Sequence, residues 1–196
     1  TVGHVVESLG VPLTEVGQLR LDGREVRPGA RAGPGSVIEV PPRPRPQPVP
    51  RPVRLLLDVH LGALARRLRF LGVDTAYDAR AADDEDLLAR ADAERRVLLT
   101  QDRGLLRRHV PVIAAYVYGA RPGDQLADVL DRFAPPLAPW TRCPRCNGLL
   151  EPVAKAEVAA RLMPGTRRTY DTFARCARCG AVYWRGAHAR RLDRIV

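Results

Sequence analysis

Four cysteines in two matched pairs, Cys143-Pro-Arg-Cys146 and Cys176-Ala-Arg-Cys179, constrain this chain more than any other feature. Two residues between cysteines let both sulfurs reach one tetrahedral ion, and two such knuckles supply its four ligands. Gly180 follows the second pair and suits a tight turn in which amides approach the thiolates. The segment 147–175 between the pairs is longer than the commonest ribbon spacing, and the helix-like KAEVAARL inside it accounts for the excess. Two disulfides or a redox C-x-x-C are the competing readings. No secretory leader is visible, which disfavours disulfides. A redox motif needs one pair at a strand-to-helix turn, not two matched pairs. Four sulfurs leave no open coordination position, so the expected ion is a structural zinc that folds the segment and takes no part in catalysis.

Composition divides the rest of the chain. Residues 1–40 begin with TVGHVVESLGVP, whose Val2, Val5, Val6 and Leu9 share one helical face. LRLDGREVRPG then reads as a hairpin around Asp22-Gly23, and SVIEV as a closing strand. That is too little chain for a good core of its own. The chain starts at Thr1, already inside the helical pattern, so the sequence suggests that N-terminal residues are missing. Residues 41–52, PPRPRPQPVPRP, are a proline-rich linker, expected to run as an extended, stiff spacer. Residues 53–135 alternate short apolar strands (VRLLLDV, VDTAYD, VLLTQD, VPVIAAYVYG) with helical patterns, the signature of a parallel sheet covered by helices. Residues 136–196 carry the cysteines.

In such sheets, functional groups gather beyond the carboxyl ends of the strands. Asp58 ends the first strand of the alternating region and Asp102 the third. Asp83, Asp84, Glu85 and Asp86 open the helix after the second, and Asp124 lies near the start of the last helix. Converging carboxylates repel one another unless cations neutralise them, and hard oxygen ligands suit Mg²⁺ or Mn²⁺. Such ions generate hydroxide and stabilise the leaving oxygen of a phosphodiester. Helix capping is the plainer reading of Asp83 to Asp86 and of Asp124, and Asp78 reads as a turn residue. Asp58 and Asp102 resist it, because each closes an apolar strand. The Thr100 hydroxyl is a candidate to orient the Asp102 carboxylate.

The strings LLLDVHLGALARRLRFLGVDTAYD, DDEDLLARADAERRVLLTQDRGLL, RCPRCNGLL and CGAVYWRGAHARRL resemble the Mut7-C RNase domain, a PIN-like nuclease domain with a C-terminal zinc ribbon, over residues 53–196. The resemblance implies a PIN-like parallel-sheet α/β/α sandwich over 53–135, a zinc ribbon over 136–196 and metal-dependent RNA cleavage. Matched by motif, Asp58, Asp84 and Asp102 take the acidic positions, with Asp83 the alternative to Asp84 and Asp124 a candidate for the final acid. Gln101 stands where the resemblance leads one to expect arginine. Residues 1–40 look like the later part of a ubiquitin-like β-grasp module that precedes such domains, truncated here because its first hairpin is absent. The strand runs into Pro41-Pro42 and not Gly-Gly, which argues against a sulfur-carrier role.

The formal charge of +10 and pI near 10.4 fit a polyanionic partner. Arg66, Arg67 and Arg69, off the apolar face of the helix after Asp58, are candidate phosphate ligands. Tyr183-Trp184-Arg185-Gly186, followed by His188, Arg190, Arg191 and Arg194, mixes aromatics with cations as single-strand RNA readers do. Packing of the ribbon is the plainer role for Tyr183 and Trp184. Neither His60 nor His188 stands out as catalytic. No apolar run reaches the ~18 residues of a membrane span, so a cytoplasmic protein is expected. The leading expectation is a ribonuclease, the rival a non-catalytic RNA-binding module, and a third a toxin-like nuclease held by a partner. The N-terminal module leaves room for a protein partner.

Overall fold

The computed structural model describes every residue except 78, 80–82, 109–111 and 187–196. Helix α1 (Val2–Ser8) is capped by the Thr1 side chain. Its Val2 and Val6 are buried with Val16 and Leu19. Val5 and Leu9 are 39% and 77% exposed, so the apolar stripe is narrower than the spacing suggested. The hairpin β1 (Arg20–Leu21) and β2 (Arg24–Glu25) turns at Asp22-Gly23. Both turn residues have positive φ (50° and 77°), as the tight turn matching a twisted hairpin requires. Strand β3 (Ile38–Glu39) pairs with β1 and completes a three-stranded sheet.

The alternating region forms β4 (Arg54–Leu57), α2 (Gly62–Phe70), β5 (Asp74–Tyr77), α3 (Asp84–Ala93), β6 (Val97–Thr100), α4 (Arg103–Arg107), β7 (Ala114–Tyr116) and α5 (Pro122–Phe133). The sheet order is β5-β4-β6-β7, and β4, β6 and β7 run parallel. Consecutive residues of a strand point to opposite faces. Leu55, Leu56 and Leu57 are nonetheless all buried, as are Val97 through Thr100. Both faces are therefore covered, which is why these strands read as apolar runs and not alternations. One face carries Leu56, Ala76, Leu98 and Ala114 against Leu87 and Ala91 of α3 and Leu105 and Leu106 of α4.

After β7 the chain forms β8 (Leu150–Val153), α6 (Lys155–Val158), α7 (Pro164–Thr169), β9 (Phe173–Cys176) and β10 (Val182–Trp184). The last sheet is antiparallel in the order β10-β9-β8. Helix α6 lies in KAEVAARL as expected, whereas α7, with proline in its first turn, has no apolar period that would announce it. The chain divides into two compact units: residues 1–64 with 76–135, and residues 65–75 with 136–196.

Inside the first unit, the 3-10 turn Leu13–Glu15 lies against β7. Glu15 accepts the Tyr116 amide (2.8 Å) and the Arg132 guanidinium (2.6 Å). Arg132 also donates to Gln47 Oε1, Thr14 O and Tyr116 O. Glu15, Gln47 and Arg132 are all buried. The proline-rich segment makes polar contacts within this unit. Pro42 pairs with Val16, Gln47 N donates to Arg132 O, and Arg45 binds Asp128 and Asp131 on α5.

Candidate nuclease edge and thiol cluster

The four cysteine sulfurs lie within 4.8 Å of one another. Cys143 and Cys179 are 3.7 Å apart, Cys146 and Cys176 3.5 Å. A disulfide needs about 2.05 Å, whereas four sulfurs ~2.3 Å from one ion stand ~3.8 Å apart. The cluster thus has the dimensions of a tetrahedral metal site, and all four thiols are free. The first knuckle is closed by the Arg142–Leu149 bridge, the second by Gly180 at φ +68°. Gly148 is needed for space: a Cβ there would stand 3.0 Å from the Cys176 sulfur and 2.8 Å from the Arg178 Cβ. Burial works against the Cys176 thiolate, but the Cys179 and Arg178 amides donate to it and bring its pKa down to about 7. Burial pushes Cys146 up to about 12. Tyr183 Oη lies 3.0 Å from the Cys143 sulfur, a phenol placed to stabilise a thiolate ligand.

The first knuckle is anchored to residues 65–75 by polar contacts. Arg69, expected to hold phosphate, is 4% exposed. Its guanidinium donates to the carbonyls of Thr75, Pro144 and Arg145. Asn147, at φ +67°, accepts the Thr75 amide and donates to Asp74, which also binds Arg142. Trp184 packs beside Phe173 and Tyr170, so the aromatic pair Tyr183-Trp184 serves the ribbon itself. Arg185 lies over the Trp140 ring. His188, Arg190, Arg191 and Arg194 lie outside the described residues, as does Asp78.

Two of the acids, Asp58 and Asp102, lie at the carboxyl edge of the parallel sheet. From β4 the chain goes outward to β5 and returns to β6 on the other side of β4, so the direction of winding reverses between β4 and β6. A crevice opens at such a reversal. Asp58 follows β4 directly, and Asp102 follows β6 after Gln101. Thr100, fully buried, donates its hydroxyl to Asp58 Oδ2 at 2.6 Å and accepts the Asp102 amide at 2.9 Å. It therefore orients the Asp58 carboxylate, not that of Asp102. Asp58 Oδ1 accepts the Val59 amide, and Asp102 Oδ1 accepts the amides of Gly104 and Leu105.

The other acids are engaged separately. Asp83 caps α3 by accepting the Asp86 amide. Asp84 forms a 3.1 Å ion pair with Arg108. Asp124 pairs with Arg121, whose hydrogen bond holds that carboxyl below the usual carboxylate range. Among the described residues, no group of three or more carboxylates closes to the 4.8 Å span that the thiols reach. Gln101, at the position where arginine was expected, donates to Val117 O and Gly119 O and so fastens the loop after β7.

A parallel sheet covered on both faces, followed by an antiparallel ribbon whose four thiols could hold a metal ion, defines the class as an α/β protein with a cysteine ribbon. The family model described as Mut7-C RNAse domain matches residues 53–196, and the chain belongs to that family. A second model, Mut7-C ubiquitin, matches residues 1–48. No curated protein and no solved structure matches the chain.

Proposed function

We propose that the protein is a metal-dependent ribonuclease that hydrolyses RNA phosphodiester bonds at the β4–β6 edge. One observation carries the reading. Asp58 and Asp102 flank the winding reversal and share Thr100, yet among the described residues neither has an ion-pair partner. Two neighbouring carboxylates without a cation suit Mg²⁺ or Mn²⁺, which would activate water and stabilise the leaving oxygen. Asp58 and Asp102 would hold the ion, oriented by Thr100 and the α4 amides. Asp84 completes the set once it leaves Arg108, with Asp83 as its alternative, and Asp124 stands nearest to the role of final acid. The four cysteines hold a structural zinc. Thiols kept free for a metal suit a reducing compartment, in keeping with a cytoplasmic protein. No helix among the described residues is long and apolar enough to cross a membrane.

The reading is tested with Asp58→Asn and Asp102→Asn. Both are expected to abolish cleavage of single-stranded RNA with Mn²⁺ while leaving RNA affinity within about threefold. Cleavage that survives both changes, or a parent that binds RNA without cutting it, would favour a non-catalytic RNA-binding module.

A further inference from the structure

The described part of the first compact unit holds a polar cleft of about 280 Å³ that the acid edge does not use. Its walls are Glu15 from the N-terminal module, Pro42, Arg43 and Arg45 from the proline-rich segment, Tyr118 from the loop after β7, and Asp128 and Arg132 from α5. The lining carries three arginines and two carboxylates, with Asp131 pairing Arg45 as a third acid, and the ion pairs are unevenly shared. Arg132 is taken by Glu15 and Arg45 by Asp128 and Asp131. Arg43 is the cation left over. Its guanidinium donates to the carbonyls of Thr14 and Leu13, and among the described residues no carboxylate pairs with it. Burial and the nearby Arg132 lower its pKa, against the opposing pull of the Glu15 carboxylate.

The cleft is linked to the acid edge by a continuous row of side chains. Strands β6 and β7 pair Thr100 with Tyr116, so Asp102 and Tyr118 each lie two residues beyond paired positions. Arg103, next to Asp102, stands 5.2 Å from the Tyr116 ring centroid. Tyr116 meets Tyr118 edge to face at 5.0 Å. Tyr118 is 45% exposed, although its backbone is fixed by Asp128 and by the loop that Gln101 clamps. A rigidly held, half-exposed aromatic ring beside a surplus arginine is the arrangement that reads single strands by stacking plus phosphate contact. The volume of about 280 Å³ falls just below the ~300–1,000 Å³ of small-ligand sites, which suits one nucleotide unit.

We propose that this cleft is an RNA subsite in which Arg43 binds a backbone phosphate and Tyr118 stacks on the adjoining base. The N-terminal module and the proline-rich segment would then complete an RNA path that begins at Asp102. The proposal rests on the ribonuclease reading for its substrate, but its test does not depend on cleavage.

The probe is a short fluorescein-labelled single-stranded RNA, titrated by anisotropy against the 196-residue chain carrying Asp58→Asn. Arg43→Ala is expected to weaken binding about tenfold and to reduce the slope of log K against log salt by ~0.7, the share of one phosphate on a single strand. Tyr118→Ala is expected to weaken binding roughly tenfold with the slope unchanged, and Tyr118→Phe to restore it. Thermal melts establish that each variant is folded. Arg43→Lys keeps the charge and restores the slope should the alanine variant melt early. Folded variants with the parent slope and affinity overturn the subsite, whatever the cleavage assay gives. Loss of binding in Arg43→Ala and Tyr118→Ala, with a parent that fails to cut RNA in Mn²⁺, keeps the subsite and removes the nuclease reading.

Discussion

At the scale of single residues, the candidate edge depends on one hydroxyl. Thr100 is buried, and its oxygen serves Asp58 as donor and Asp102 as acceptor. Valine has the same shape but supplies neither bond, so Thr100→Val should leave the Asp102 amide unsatisfied and Asp58 unoriented, at a cost of about 1–3 kcal/mol. We expect the variant to fold with a lower urea midpoint and to lose at least about tenfold in kcat with little change in KM, because the acids that act on the bond are misplaced. Thr100→Ser should recover most of the rate. Equal rates in parent and valine variant would remove Thr100 from the site. Asp58 and Asp102 stand out in the sequence because each closes an apolar run, and the structure gives both a capping role as well, Asp58 on the Val59 amide and Asp102 on the Gly104 and Leu105 amides. The function of Arg69 was not legible. Its partners Pro144 and Arg145 are remote in sequence, so a buried arginine that holds the knuckle read as a phosphate ligand.

At the scale of elements, the sheet was readable because full burial turns strands into apolar runs with turn residues between them. The docking of the N-terminal module was not, since it is made by a polar turn. Strand β7 is the edge of its sheet, and there the Tyr116 amide is bound by the Glu15 carboxylate. The same carboxylate neutralises Arg132 at 3% side-chain exposure. Breaking a buried pair on one side strands the remaining charge, which costs about 3–5 kcal/mol. Glu15→Ala should therefore lower unfolding free energy by about that amount in urea titrations, and Glu15→Gln, which still accepts the Tyr116 amide, by less. A loss under about 1 kcal/mol for the alanine variant, the range of exposed pairs, would show that the contact is not buried in solution. The proline-rich segment carries the same lesson. Composition marks it as a spacer, but Gln47 and Arg45 bind α5, and no local pattern reveals such partners.

At the scale of the whole molecule, the thiol cluster reaches further than the ribbon. Residues 65–75 belong to the same compact unit as 136–196, and their ties run through the first knuckle: Arg69 to the carbonyls of residues 144 and 145, and Asp74 and Thr75 to Asn147. That knuckle takes its shape from Cys143 and Cys146. A four-thiolate ion contributes its binding energy directly to folding, so removing it should release Asn147 and Arg69 together. We expect the purified protein to contain one zinc per chain. Chelation should then raise amide hydrogen exchange at least about tenfold in residues 65–75 as well as around the knuckles. The amides of Leu56 to Leu57 and Leu98 to Leu99 lie in the other unit and should keep their protection. Unchanged exchange in 65–75 after complete zinc removal would confine the ion to the ribbon alone. Release of both segments would make the clip the device that sets the end of α2 and the start of β5.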